Sequence, residues 1–376
     1  MHQVIFYPVG NGDTSQIILE NGKRILMDFR HLAKSEEEGP EIDLKARLHK
    51  ELKDANRRSF DVVAFTHGDG DHIAGSTEFF EFWHSTKYQG DGRVAIPELW
   101  IPAAMLLEEV PNDCRSNEFA VWRAEARHRL KQGKGVRVFS KPEMLKDWLE
   151  GNGLTVEDRR ALITDAGELV PGFTLDSDGV EFFCHSPFIK HVDEGDDMRN
   201  SCALIFNVRF RVREKVFDYL AIGDTDWEVL EDIVDATLWH GNDGRLSWDL
   251  YNIPHHCSYK ALSDEKGTME TTPKPKVAEV LKAGRESAYI ISSSFPIEDT
   301  KTGREQEQPP HVQARKCYER YLKNVGGAHF LVTMEEPNNT NPQPIVINID
   351  GNGITRDRPT QSGVSRLVSA PAPRAG

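Results

Sequence analysis

The decapeptide Thr66 to Gly75, THGDGDHIAG, places His67, Asp69, Asp71 and His72 within six residues, straight after the apolar run Val62-Val63-Ala64-Phe65. No one face of a regular helix or strand presents these side chains together. A tight loop at a strand end can converge them, and Gly68 and Gly70 would permit the unusual backbone angles this needs. Imidazole mixed with carboxylate is a ligand set for a borderline or hard divalent ion such as Zn, Mn or Fe. The competing reading is a surface turn rich in Asp and Gly with two incidental histidines.

Further candidates stand at the ends of apolar runs downstream. Glu181-Phe182-Phe183-Cys184 leads into His185, Tyr219-Leu220-Ala221-Ile222-Gly223 into Asp224, and Leu250 to Pro254 into His255-His256-Cys257-Ser258. Strand ends suit such residues, because a strand holds its last side chain firmly while the following loop stays open. Asp193, Glu194, Asp196 and Asp197 are alternative carboxylates or simply loop.

The spacing His-x-Asp-x-Asp-His resembles the metal loop of the metallo-β-lactamase-fold hydrolases, which more often reads His-x-His-x-Asp-His. With Ile-Ala-Gly after it, it looks most like the soluble hydrolase domain of ComEC-type DNA-uptake proteins. Val9-Gly10-Asn11-Gly12-Asp13-Thr14, Asn200-Ser201-Cys202-Ala203-Leu204 and Pro254-His255-His256 carry the likeness along nearly the whole chain. The resemblance implies two divalent ions, Zn, Mn or Fe. His67, Asp69 and His185 would hold the first and Asp71, His72 and His256 the second, with Asp224 bridging them. Asp71, His255 and His311 are the catalytic groups it implies, His255 facing substrate and His311 holding a phosphate or protonating a leaving group. The alternative for His311 is a surface histidine at a helix start. Asp13 would support the site from behind, and Asp226 would cap a helix. The chain departs from the pattern at Phe29-Arg30, where relatives carry a small residue and glycine, and at Cys257, where they carry glycine. That thiol could pack, act as a stray ligand or be sensitive to oxidation.

What such a site implies is hydrolysis by a metal-activated water. The first expectation is a phosphodiesterase or nuclease of the ComEC-like kind. Hydrolysis of a small ester, lactone or cyclic nucleotide is the alternative, and a weakly catalytic binding subunit of a larger assembly is the second. Net charge is −14, from 46 basic and 60 acidic residues, which repels a polyanion overall. Two basic stripes run against this: Arg123, Arg127 and Lys131 at helical spacing, and Arg209, Arg211 and Arg213 alternating along a strand. They are the expected contacts for DNA or RNA, with a solvated face as the plain alternative. A protein partner remains open and is not identified by any motif.

Positioning these residues requires alternating strands and helices. Short strands are expected at Val4–Tyr7, Ser15–Leu19 and Arg24–Asp28, the last two joined by an Asn21-Gly22 hairpin turn. A helix follows over Ile42–Asn56, then strand Asp61–Thr66, a helix from Ser76 and strand Glu98–Ile101. Residues 103–170 read as a mainly helical insertion that could lid the site. Strands return at Gly179–Cys184, Cys202–Arg209, Val216–Ile222, Asp249–Ile253, Ala288–Ser292, His329–Thr333 and Pro344–Asp350. Helices interleave at Asp226–Asp235, Val277–Lys282 and Val312–Lys323. Periodicity alone gives mixed α and β; the resemblance implies an α+β four-layer αβ/βα sandwich over residues 1–350, with 351–376 a disordered tail. No stretch approaches 18 consecutive apolar residues, so no membrane span is expected. Five cysteines without a Cys-x-x-Cys pair and no secretory leader point to the cytoplasm.

Overall fold

Alternation of side chains along short, β-branched and aromatic segments builds two sheets, each buried on both faces. The computed structural model describes residues 1–37, 39–108, 117–194 and 200–357. The first sheet comprises β1 (His2–Phe6), β2 (Ser15–Ile18), β3 (Arg24–Met27), β4 (Val62–Ala64), β5 (Glu98–Pro102), β6 (Val136–Phe139), β7 (Ile163–Thr164), β14 (Ile345–Asp350) and β15 (Gly353–Asp357). Its order is β15-β14-β1-β2-β3-β4-β5-β6-β7. The second comprises β8 (Val180–Ser186), β9 (Ile205–Val212), β10 (Lys215–Ile222), β11 (Trp248–Asn252), β12 (Gly284–Ser292) and β13 (His329–Val332), ordered β13-β12-β11-β10-β9-β8. The helices that matter for the site are α1 (Leu44–Asp54), α2 (Ala103–Leu107), α3 (Asn117–Gln132), α4 (Glu143–Glu150), α5 (Trp227–Trp239), α6 (Pro275–Lys282) and α7 (Val312–Asn324).

Three apolar clusters define four layers. Between the sheets, Phe6, Ile25, Ala64 and Trp100 meet Phe182, Phe206, Tyr219 and Ile291. On the outer face of the first sheet, Leu26, Val63 and Leu99 pack against Leu48 of α1, Phe119 and Trp122 of α3 and Leu145 of α4. On the outer face of the second, Leu220, Tyr251 and Ile290 meet Ile233 of α5, Leu281 of α6 and Tyr318 of α7. Alternation explains the split: Val62 and Ala64 face the other sheet, Val63 and Phe65 the helices. The α+β sandwich is therefore helix, sheet, sheet, helix.

Three expectations change. The insertion at 103–170 is not only helical: its β6 and β7 extend the first sheet in parallel register beyond β5. The helix from Ser76 stops after Phe79. The chain after 350 turns back at Gly351-Asn352 and pairs β15 with β14, so the expected tail begins later; residues 358–376 lie outside the described ones. No helix among the described residues is long and apolar enough to cross a membrane.

Candidate metal centre

Strands β3, β4 and β5 run parallel in one sheet and β10, β11 and β12 in the other. The candidate residues sit beyond their carboxyl ends: Asp28 after β3, His67 to His72 after β4, Asp224 after β10 and His255-His256 after β11. Asp28 is the hub that shapes the loop after β4. Its carboxylate accepts from Thr66 N at 2.7 Å, Thr66 Oγ1 at 2.7 Å and His72 Nδ1 at 2.9 Å. Asp13 N donates to the Asp71 carbonyl at 3.3 Å and Leu204 N to the Thr66 carbonyl at 2.9 Å, so three other segments hold this loop. Neither Gly68 nor Gly70 adopts a positive φ. Gly68 matters for space: a Cβ there would overlap the Phe119 ring of α3.

Asp13, His72, Asp224 and His256 bring one ligand atom each within 4.8 Å of one another, and His67, Asp71 and His72 do the same. His72 Nε2 lies 3.4 Å from Asp224 Oδ1 and 4.0 Å from Asp13 Oδ2, while His256 Nε2 lies 3.1 Å from Asp71 Oδ2 and 3.5 Å from Asp224 Oδ2. Nδ1 of His72 faces the Asp28 carboxylate and Nδ1 of His256 the Ser293 carbonyl at 2.8 Å; both oxygens only accept, so both Nδ1 carry the proton. Once its proton is displaced, each Nε2 would turn its lone pair to a cation in the cluster, the orientation that metal-binding imidazoles need. Nε2 of His67, Nε2 of His72 and Oδ1 of Asp224 are buried without a hydrogen-bond partner. Buried polar atoms in that state are costly unless a ligand satisfies them. The donor set fits divalent cations.

The electrostatics agree. Burial alone would lower the pKa of His72 and His256, yet the carboxylates around them reverse it: Asp28 and Asp224 hold His72 well above its ordinary value, and Asp224, Asp71 and Asp13 take His256 to about 9. Burial raises Asp13 to about 6, with Asp224 and Asp28 adding to it against His256 and His72. Burial would raise Asp71 and Asp224 as well, but the histidines beside them hold both below the usual carboxylate range. His67, where burial dominates, falls to about 4 and stays neutral. A pocket that pulls protons onto imidazole in this way favours positive charge.

Not every expected residue joins. Asp69 stands 3.8 Å from His67 Nε2, at the edge of the cluster. His185 is corrected outright. Phe182 and Cys184 face the inter-sheet core, so alternation turns His185 to the opposite side of β8, toward α5. There its Nε2 donates to the Arg245 carbonyl at 3.0 Å and its Nδ1 faces Thr237 Oγ1 at 3.4 Å, and it helps line a separate cavity of about 230 Å³. Of the alternative carboxylates, Asp193 accepts from Glu143 N at 3.2 Å, away from the cluster, and the side chains of Glu194, Asp196 and Asp197 lie outside the described residues. Conversely Asp13, expected behind the ligands, stands among them.

His255, His256 and Cys257 form a turn with φ of 54°, 51° and 66°, three successive residues in the left-handed region. The turn sends His256 into the cluster and leaves His255 half-open to the mouth. His255 Nε2 is 3.9 Å from Asp224 Oδ2 and its Nδ1 3.6 Å from Asp226 Oδ1. Asp226 makes no side-chain cap on α5. Burial opposes a proton on His255, but Asp226 and Asp224 outweigh it and raise its pKa. His311 supports the turn from behind and does not meet the cluster. Its N donates to the Cys257 carbonyl at 3.0 Å, its Nδ1 accepts from Tyr259 N at 3.3 Å and its Nε2 donates to the Glu307 carbonyl at 3.1 Å, so neither ring nitrogen is left for a phosphate. Cys257 is fully buried, and burial pushes its thiol up, which makes it an inert packing group.

Four of the six stripe residues have polar partners within the chain. Arg123 Nη1 donates to the Glu108 carbonyl at 2.7 Å, Arg127 Nε to the Leu106 carbonyl at 2.8 Å, and Lys131 lies over the Trp148 ring. Arg209 pairs with Asp218 at 2.7 Å and Arg211 with Asp176 at 2.6 Å, while Arg213 sits in the turn between β9 and β10 at φ 58°.

No protein-family model and no curated protein matches the chain. Solved structures similar to it include the metallo-β-lactamase GOB-18 from Elizabethkingia meningoseptica, at 10% identity and TM-score 0.30, covering 85% of this chain and 88% of that one. A diphosphatase of the PhnP family is similar at 11% identity and TM-score 0.32, covering 92% and 97%. The class B3 di-zinc metallo-β-lactamase LRA-12 from an Alaskan soil metagenome is similar at 11% identity and TM-score 0.29, covering 85% and 90%. Likeness this distant says nothing of what the chain acts on.

Proposed function

We propose that the protein is a metal-dependent hydrolase of the metallo-β-lactamase type that cleaves phosphodiesters, in the manner of the ComEC-like domains its motifs resemble. One observation carries this: the unpartnered Nε2 atoms of His67 and His72 and the Oδ1 of Asp224 fall in two ligand groups that share His72, one with Asp13 and His256 and one with the half-buried Asp71. These six residues would hold two divalent ions of the Zn, Mn or Fe kind. When bound, such ions activate water and neutralise charge growing on an attacked phosphoryl or carbonyl group. Asp28 and the Ser293 carbonyl keep His72 and His256 in the required tautomers. His255 stands at the mouth, and its Nδ1 faces Asp226, so it can carry a proton and deliver it from Nε2 to a departing alkoxide.

The phosphodiester is a small molecule in this reading, because most of the arginines that would track a long polyanion have partners within the chain. DNA or RNA cleavage is the second reading, supported by the ComEC-like motifs. Metal analysis of the purified protein, paired with bis(p-nitrophenyl) phosphate, cyclic nucleotides, DNA, RNA and p-nitrophenyl acetate, tests both. About two equivalents of metal and metal-dependent cleavage of the small diester are expected. Salt-sensitive nucleic-acid cleavage that falls on charge reversal at Arg123, Arg127 or Arg211 would favour the second reading. Hydrolysis of the acetate ester with no diester cleaved under any metal would overturn the phosphodiester assignment.

A further inference from the structure

A half-buried guanidinium stands beside the metal loop without an ion-pair partner among the described residues. Arg30 follows Asp28 by two residues, and its backbone N donates to Thr14 Oγ1 at 2.9 Å, which ties it next to Asp13. The side chain then runs across Gly12. A Cβ on Gly12 would overlap Arg30 Cδ, lie 2.8 Å from its Nε and meet the Asp71 carbonyl oxygen at 2.7 Å. Glycine at position 12 is thus what lets a long side chain pass alongside the Asp71 backbone. At its far end Nη1 donates to the Val9 carbonyl, and a Cβ on Gly10 would stand 2.9 Å from Glu41 Oε1 and 3.0 Å both from that nitrogen and from the Phe295 ring, so the buried Glu41 carboxylate is a near neighbour. The rim itself is fixed: Asn11 Nδ2 donates to the Pro309 carbonyl at 2.7 Å and Asn11 Oδ1 accepts from Phe295 N at 2.8 Å.

The guanidinium has carboxylates near it and none in ion-pair contact. Among the described residues, no carboxylate lies within the 4.0 Å ion-pair distance of Arg30. Glu41 and Asp71 act on it through space and offset part of the cost of burying its charge, while their direct contacts go to Lys34 at 3.0 Å and His256 at 3.1 Å, which leaves its N–H groups unclaimed by either. A guanidinium has five N–H donors in a planar fork that matches two oxygens of a phosphate or carboxylate, and among the described residues the Arg30 side chain donates to the Val9 carbonyl alone. Its stem is already held in place, so little rotamer freedom would be lost on binding. The chain's net charge of −14 repels anions at long range, so a fixed cation beside the metal site would add to whatever attraction bound ions supply.

We propose that Arg30 is the anion anchor of this site, binding an oxygen of the phosphodiester and setting the preference for charged over neutral substrates. This rests on the hydrolase reading above and deepens it. The alternative is a purely structural clamp on the Val9 carbonyl, which would act equally on every substrate.

Arg30→Gln and Arg30→Lys in the full-length, metal-loaded protein separate the two. Inorganic phosphate binding by calorimetry, metal content, and kcat and KM for bis(p-nitrophenyl) phosphate and for neutral p-nitrophenyl acetate are measured for each. With Arg30→Gln, the phosphate Kd and the diester KM should rise about tenfold, while kcat, metal content and the acetate KM hold. Arg30→Lys should restore part of the loss. Unchanged phosphate affinity, or parallel losses on diester and acetate, would overturn the anchor in favour of the clamp. Should the wild type cleave no phosphodiester, the functional reading fails, and phosphate binding alone then decides Arg30: weakening in Arg30→Gln sustains the anchor, whereas no change, or no phosphate binding by the wild type, removes it.

Discussion

Each imidazole in the cluster is usable only because its other nitrogen is spoken for. Asp28 is not among the residues that would hold a metal ion, yet it sets the tautomer of His72 and clamps Thr66. Asp28→Ala should therefore lower metal affinity roughly 10–100-fold with every ligand intact, as removal of such supporting bonds does; competition with a chromogenic chelator measures it. Asp71→Ala and Asp224→Ala should lose both metal and hydrolysis. His255→Ala should keep its metal and lose roughly 10²–10⁴ in turnover, and metal loss in that variant with none in His256→Ala would reverse the two roles. At this scale the sequence was informative where chemistry was crowded into one decapeptide. His185 was misread because Phe182, Phe183, Cys184 and His185 are all buried, so the run hides which parity faces the core. Asp13 was placed one layer too far out, since its role depends on how closely the first hairpin approaches the loop after β4.

The elements around the site are coupled through α3. Glu118 accepts from Gly75 N at 2.9 Å, Thr77 N at 3.1 Å and Thr77 Oγ1 at 2.8 Å, and Phe119 fills the space over Gly68. The helix buttresses the metal loop from outside. Phe119→Ala should cost about 3–5 kcal/mol of stability, read by denaturant melts, and should weaken metal binding as well; a stability loss with unchanged metal affinity would make α3 a mere cover. Most strands and helices were legible from periodicity and turn residues. β6 and β7 were not: Val136-Arg137-Val138-Phe139 carries a charge at its centre, which reads as helix or loop. In the structure Arg137 is buried, and its Nη1 reaches Thr164 Oγ1 of β7 at 3.1 Å. β15 was missed because a five-residue edge strand of mixed polarity gives little signal.

For the molecule as a whole, the pocket ties stability to cation supply. Saturation at a hundred times Kd stabilises by about 2.7 kcal/mol, so chelation should lower the melting temperature. The pH response should change with it. In chelated protein His256 has its pKa raised to about 9 from 6.5, so its contribution is fully present below about 6.5 and is lost as pH rises to 9. His72, raised in the same direction, adds to this, and Asp13, raised to about 6, already costs stability above that pH. The chelated protein should lose melting temperature between pH 6.5 and 9 while the metal-loaded protein changes little; equal slopes would refute the linkage. The layered architecture came from the resemblance and not from periodicity, because facing two sheets requires contacts hundreds of residues apart.

The turn at His255-His256-Cys257 has a mechanical consequence. A left-handed conformation disfavours each L residue by about 1–2 kcal/mol, so these three would uncoil if released, and their posture belongs to the anchors around them. The turn is a sprung catch, latched by Ser293 on one side and His311 on the other. Loosening a latch well away from the cluster should therefore misalign His256 as surely as altering the histidine itself, and a glycine at 257 would relax the spring while leaving the catch less sharply set.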